Sequence, residues 1–150
     1  QCRVVDQLKE GEVYILKTRG AYNCAVFGEL FATAVQKKGG SGVLLDGMAR
    51  DMKELKKMRF PLFYRGTDPK TSKGRCEINE FQIPVEIEGV TIFPGDYIFG
   101  DMDGIVVIPK NLVEEVFDKA LETIEKENQV RNGLANGRSL EYVYTEIGAI

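Results

Sequence analysis

A strand, a helix and a second strand follow one another between Glu12 and Asp46, and that order constrains the fold more than any other feature of the chain. The stretch EVYILKT (residues 12–18) follows Gly11 and is rich in β-branched and aromatic residues, which suit a pleated, packed surface. FGELFATAVQKKGG puts Phe27, Leu30, Phe31, Ala34 and Val35 on one helical face, and Gly39-Gly40 stops the helix. GVLLD (residues 42–46) is a short continuous apolar run, as expected of a strand covered on both faces. Strand, helix and strand within about 35 residues form a βαβ unit, with parallel strands and a right-handed crossover.

Downstream, RDMKELKKM (residues 50–58) predicts a short helix with Met52, Leu55 and Met58 facing inward. FPLFYRG (residues 60–66) predicts a third parallel strand, and residues 67–74 a loop. The chain up to Pro109 predicts a meander with turns at Glu88-Gly89, Pro94-Gly95 and Asp103-Gly104. Asn111, with Glu114 three residues on, predicts a capped helix. Its apolar stripe of Leu112, Val113, Val116, Phe117, Ala120, Leu121 and Ile124 suits a core or a subunit interface. A last short helix covers SLEYVYTEIG. The fold class is α/β, with a parallel βαβ core and an antiparallel extension. Residues 1–150 read as one domain. Its opening, RVVDQLKEGE, resembles the end of a helix already under way, so an N-terminal portion is expected ahead of it.

The chain contains no histidine. Ser-His-Asp and Cys-His machinery, histidine acid–base chemistry and histidine-ligated zinc are therefore excluded. A metal would have to be held by carboxylates, carbonyls and water, a hard oxygen set that favours Mg²⁺ or Mn²⁺. The net charge of −3, with no basic run longer than Lys37-Lys38 or Lys56-Lys57, argues against nucleic acid as the main partner. No apolar stretch approaches the roughly 20 residues that span a bilayer. Three cysteines, Cys2, Cys24 and Cys76, without C-x-x-C spacing, suggest reduced thiols and a cytoplasmic protein.

In a parallel α/β sheet, ligands bind beyond the carboxyl ends of the strands. Two features fall there. The helix start at Gly28-Glu29-Leu30 offers free N–H groups and a dipole to an anion, with Gly28 permitting close approach. Arg50-Asp51 stands just past the next strand; Arg offers a planar fork for a carboxylate, and Asp51 and Glu29 offer hard oxygens. Together they suit a chelating oxoacid. From the residues alone, the Arg-Asp pair is more often a helix cap with surface charge, and Glu29 more often first-turn dipole compensation. GGSG (residues 39–42) lies between helix and strand, at the wrong end for a phosphate loop. GDMDG (residues 100–104) lacks the closing Glu of a calcium loop and reads as a turn.

FGELFATAV (residues 27–35), GVLLDGMARDMKEL (42–55), FPLFYRG (60–66) and IPVEIEGVTIFPGDYIFGDMDGIVVIP (83–109) resemble the RraA-like family. That family joins 4-hydroxy-4-methyl-2-oxoglutarate/4-carboxy-4-hydroxy-2-oxoadipate aldolases to protein inhibitors of ribonuclease E. The resemblance implies a swivelling-type α/β/α domain, assembled as trimers or hexamers with sites at subunit interfaces. Family aldolases carry an acid, twenty residues, then Arg-Asp; here Glu29 precedes residues 30–49 and then Arg50-Asp51, with Glu where the best-known aldolases have Asp. The resemblance implies that Asp51 ligates the divalent metal and that Glu29 acts through metal-bound water. Arg50 would bind the pyruvyl carboxylate, assisted by Gly28 and by backbone N–H groups near Leu30 and Phe31. Lys73 and Arg75 are both candidates for a basic residue after the third strand.

These matches imply a class II aldolase that uses Mg²⁺ or Mn²⁺ to cleave 4-hydroxy-2-oxo acids to pyruvate, with oxaloacetate decarboxylation as a side activity. No lysine Schiff base is required. The alternatives are a trimeric regulator that binds a protein such as a ribonuclease, and a catalytically silent scaffold. Inhibitor members lack the Asp that this chain keeps as Asp51.

Overall fold

The computed structural model describes residues 1–148. In chain order the elements are α1 (Cys2–Val5), β1 (Val13–Lys17), β2 (Ala25–Phe27), α2 (Glu29–Lys37), β3 (Gly42–Ala49), α3 (Met52–Met58) and β4 (Leu62–Thr67). These are followed by β5 (Val85–Ile87), β6 (Val90–Ile92), β7 (Tyr97–Gly100), β8 (Ile105–Ile108), α4 (Val113–Ala135) and α5 (Leu140–Ile147).

β3 organises the sheet. It pairs in parallel with β1 from Val13↔Gly42 to Lys17↔Asp46. It also pairs in parallel with β4, from Val43↔Leu62 to Ala49↔Thr67. β2 joins in parallel at Ala25↔Met48 and Phe27↔Ala49. β4 takes one side of β3 along its length, so β1 and β2 share the other side, one after the other. The handover falls at Gly47, where a Cβ would stand 2.6 Å from Thr18 Cγ2. Thr18 closes β1 there, donating from its amide and its hydroxyl to the Asp46 carbonyl at 3.1 and 2.7 Å. The parallel βαβ core expected from the sequence is present.

β2 was not expected. Its Phe27 matches the helical period of α2 because Phe27 and Phe31 pack together, with ring centroids 6.2 Å apart. Gly28, at φ −161°, keeps the chain extended until the helix begins at Glu29. Phe27 is buried and also stacks on Phe60 at 6.3 Å. Tyr14, Val35, Val43, Leu45, Ala49 and Leu55 complete a core between the sheet and the helices α1, α2 and α3. Each large side chain buried there contributes about 1.5–3 kcal/mol of transfer free energy.

The expected meander is two separate antiparallel hairpins. β5 and β6 meet through Glu88-Gly89, both at positive φ (50° and 78°), as a two-residue type I′ turn requires. β7 and β8 pair from Tyr97↔Ile108 to Gly100↔Ile105. The two hairpins belong to different compact units, Gln1–Pro94 and Gly95–Ile150.

In the second unit, Asn111 does not cap α4. Pro109, with φ at −54°, starts a 3-10 turn over Lys110–Leu112 that absorbs Asn111. The stripe side chains Phe117, Leu121 and Ile124 are exposed on α4. α5 packs back at Gly133, where a Cβ would stand 2.9 Å from the buried Val143. Ser139 caps α5 by accepting from the Tyr142 amide at 3.2 Å. No described helix is long and apolar enough to cross a membrane.

Candidate active site

β3 ends at Ala49, and backbone bonds fix what lies beyond it. Arg50 N donates to Phe27 O at 2.9 Å, and Asp68 N donates to Ala49 O at 3.1 Å. The carboxyl ends of β2, β3 and β4 are thereby tied into one edge, with Gly28, Arg50-Asp51 and Asp68 as the first residues past it.

Asp51 takes the left-handed conformation, φ 60° and ψ 34°. Asp is among the few side-chain-bearing residues that visit this region readily. The turn starts α3, and the Asp51 carbonyl accepts from Glu54 N and Leu55 N at 3.0 and 3.1 Å. Its carboxylate does not cap its own helix. It reaches across to α2, where Oδ2 accepts from Glu29 N at 3.3 Å. A Cβ on Gly28 would stand 2.5 Å from that oxygen and 3.0 Å from Arg50 Cγ. A side chain at Gly28 would thus displace the Asp51 carboxylate, so the glycine is explained by close approach and not by its φ.

Arg50 Nε lies 3.6 Å from Asp51 Oδ2, with the two side chains 39% and 45% exposed. An ion pair so open to water contributes about 0–1 kcal/mol. Stability therefore gives little reason for a cation here, whereas its fork remains available for an incoming carboxylate. Glu29 occupies the first turn of α2, and its Oε1 accepts from Thr33 Oγ1 at 3.0 Å. Ala32 N is the first amide to bond back, to Gly28 O at 3.0 Å, which leaves the Leu30 and Phe31 amides without intrahelical acceptors. The exposed Leu30 side chain stands beside them.

Asp51 and Glu29 both stand at this edge, with the Glu29 carboxylate turned along α2 to Thr33. Among the described residues no group of three or more His, Cys, Asp or Glu is placed to hold a metal. One or two carboxylates, with the remaining positions left to water and substrate, is a donor set that fits Mg²⁺ and does not fit a closed all-protein site. Asp51 Oδ1 accepts no hydrogen bond among the described residues, so an oxygen remains for such an ion.

Lys73 and Arg75 lie on the exposed loop after β4. Arg75 Nη1 donates to Thr71 O at 3.0 Å, and Lys73 N to Thr71 Oγ1 at 3.3 Å. Neither hydrogen-bonds to or pairs with Arg50, Asp51 or Glu29 among the described residues. The loop itself is anchored beside β2, where Ala25 N donates to Lys70 O at 2.8 Å.

Three features of this edge were not anticipated from the sequence. Thr33 holds the Glu29 carboxylate, a relation visible in the i, i+4 spacing on one helix. Asp68 accepts from Lys70 N at 2.7 Å and pairs with Lys70 Nζ at 3.6 Å, forming a turn at the end of β4. Asp46, 4% exposed on β3, accepts from the Arg65 guanidinium and from Tyr22 OH at 2.9 Å. Arg65 also pairs with Glu88 and lies 5.8 Å over the Tyr22 ring. The bond to Asp46 pushes the Tyr22 phenol above its ordinary pKa, and the same carboxylate with Glu88 strengthens the Arg65 charge. This cluster is internally satisfied and fastens the β5–β6 turn and the chain after β1 to the sheet.

Comparisons with known proteins agree with this architecture. The chain is 37% identical over 110 residues to a protein of Halalkalibacterium halodurans named "Putative 4-hydroxy-4-methyl-2-oxoglutarate aldolase", covering 73% of this chain and 52% of that protein. The chain thus spans about half the length of that curated relative. A crystal structure of an uncharacterized protein from Pseudomonas syringae pv. tomato superposes with a TM-score of 0.90 at 30% identity, covering 96% of this chain and 68% of that one. Streptomyces coelicolor RraAS2, described as an unusual member of the RNase ES inhibitor RraA protein family, superposes with a TM-score of 0.77 at 27% identity, over 87% of this chain and 66% of that one. The family model described as RraA-like, Aldolase/RraA, matches residues 2–107, and the chain belongs to the RraA-like family.

Proposed function

We propose that this protein is a divalent-metal-dependent aldolase that cleaves 4-hydroxy-2-oxo acids to pyruvate, with oxaloacetate decarboxylation as a side reaction. One observation carries the reading. The Asp51 carboxylate is held across the sheet edge against Glu29 N, beside Arg50, over a glycine that leaves no room for a Cβ. The aldolase-named relative adds support.

In this reading Arg50 binds the substrate carboxylate through its planar fork. The Leu30 and Phe31 amides, at the positive end of α2, face the same anion. Asp51, and Glu29 through water, hold Mg²⁺ or Mn²⁺. Thr33 keeps the Glu29 carboxylate in one orientation. Bound there, the ion supplies Lewis-acid stabilisation of the negative charge that develops on the 2-keto oxygen. As the C3–C4 bond breaks, its electron pair passes to the pyruvate fragment as an enolate, and C4 becomes a carbonyl on losing its hydroxyl proton. With no histidine in the chain, that proton leaves to a carboxylate or to water. Protonation of the enolate at C3 completes pyruvate. Loss of CO₂ from oxaloacetate yields the same enolate, so both reactions use one site.

The assembly in this reading is a homotrimer or hexamer, and the exposed apolar residues Phe117, Leu121 and Ile124 on α4 support it. A stable monomer in light scattering at micromolar concentration contradicts it. The function is tested by coupling pyruvate release to lactate dehydrogenase, with 4-hydroxy-4-methyl-2-oxoglutarate and oxaloacetate as substrates, with and without EDTA. Pyruvate formation that EDTA abolishes and Mg²⁺ restores is the expected result. The likeness to RraAS2 supports a second reading, a non-catalytic regulator that binds a protein such as a ribonuclease. Absence of turnover at any metal concentration favours that reading.

A further inference from the structure

Two of the three cysteines meet although 52 residues separate them in sequence. Cys24 Sγ lies 3.5 Å from Cys76 Sγ. Cys24 is fully buried at the entry to β2, whereas Cys76 is exposed. Backbone bonds on both sides hold the approach in place. Ala25, next to Cys24, donates to Lys70 O at 2.8 Å and bridges Thr71. Cys76 N and Arg75 N both donate to Ser72 O, at 3.0 and 2.9 Å. The thiols therefore face each other because the backbone fixes their elements together. A disulfide needs its sulfurs at about 2.05 Å, so closure asks for a sulfur displacement of about 1.5 Å.

We propose that Cys24 and Cys76 form a reversible dithiol–disulfide site that takes hydrogen peroxide as its oxidant. The exposed Cys76 reacts first. Its sulfur attacks the peroxide O–O bond, giving a sulfenic acid and releasing water. The Cys24 sulfur then attacks the Cys76 sulfur, forming the S–S bond and displacing a second water. Two thiols lose two electrons and two protons in all, and one peroxide is reduced to two waters. The buried Cys24 resolves the sulfenic acid before further oxidation, which makes the modification reversible by a dithiol. The contact with Cys24, together with partial burial, holds the Cys76 thiol above its ordinary pKa. The resulting bond ties the loop carrying Lys73 and Arg75 to the strand that leads into Gly28.

The test uses the full chain with Cys2→Ser, which removes the remaining exposed cysteine, in hydrogen peroxide. Alkylation after denaturation should find the two thiols lost together, with an intact mass lower by two hydrogens and a crosslinked peptide joining Cys24 to Cys76. Dithiothreitol should restore both thiols. Closing so long a loop should raise Tm by about 5–10 °C in the oxidised form. In Cys2→Ser/Cys76→Ser, whose change lies at an exposed position, peroxide should leave the buried Cys24 alkylatable and Tm unchanged. The proposal is overturned if Cys76 proceeds to sulfinic or sulfonic acid while Cys24 stays free, or if the only disulfides formed join separate chains.

Discussion

Asp51 Oδ2 accepts a hydrogen bond from Glu29 N at 3.3 Å, joining the start of α3 to the start of α2 across the carboxyl edge of the sheet. A carboxylate that leads one helix thus serves the N-terminus of another. Its own helix is left without a side-chain cap, an arrangement that local helix stability does not favour. The relationship makes sense if the carboxylate is held for a ligand.

Gly28 is the most stringent position at this edge. Gly28→Ala would place a Cβ 2.5 Å from Asp51 Oδ2 and 3.0 Å from Arg50 Cγ. Its extended backbone imposes no φ penalty, so the cost is steric and falls on the two site residues. We expect a loss of about 1 kcal/mol or less in stability, because both side chains are half exposed and can shift, and a much larger loss of turnover. A thermal melt and a pyruvate assay on the same sample check both. Normal activity in this variant would mean that Asp51 can move away without consequence.

Arg50→Lys keeps the charge and removes the planar fork. The fold should survive, because the Arg50–Asp51 pair is half exposed and contributes little. One lost charge-assisted contact should cost about 2–3 kcal/mol, or roughly 30- to 150-fold in kcat/KM. Steady-state kinetics on oxaloacetate measure it, and near-parental values would return Arg50 to a surface role.

Tyr14 carries a pH signature unrelated to the site. Its hydroxyl is buried with no hydrogen-bond partner among the described residues, and burial raises its pKa from 10.0 to about 12. The folded state therefore keeps the proton that the unfolded state releases. The stability linked to this proton is complete below pH 10 and is lost as pH rises through about 12. Tyr14→Phe should lessen the alkaline loss and raise stability at neutral pH by about 1 kcal/mol, since an unpaired buried hydroxyl is removed. Denaturant melts of both proteins from neutral to alkaline pH test it; parallel curves would contradict it.

The sequence was most legible where one physical rule acted alone. Continuous apolar runs marked β3 and β4, and the double glycine after Lys38 marked the end of α2. Arg50-Asp51 and Gly28-Glu29 were legible as neighbours because parallel topology brings the ends of successive strands to one edge. Phe27 was not legible as a strand residue, because helical spacing and core burial both place it beside Phe31. Asn111 misled because a good cap residue followed a proline that favours a tighter turn. Asp46 hid inside an apolar run; its partners Tyr22 and Arg65 come from distant stretches, and only the folded sheet unites them. The Cys24–Cys76 approach was hidden for the same reason.

The central claim is that Asp51 holds a divalent ion at this edge, and Asp51→Asn tests it most directly. The substitution keeps the size of the side chain and removes its charge. Metal-dependent pyruvate release from oxaloacetate, measured beside the thermal midpoint for both proteins with and without EDTA, separates the possibilities. The account predicts that EDTA silences the parent, that excess Mg²⁺ or Mn²⁺ restores it, and that Asp51→Asn loses activity while its midpoint moves little. Affinity for the ion without substrate should be weak, because one or two carboxylates leave most of its shell to water. Full, EDTA-resistant activity in Asp51→Asn, or a large loss of stability with no metal effect on either protein, would contradict it.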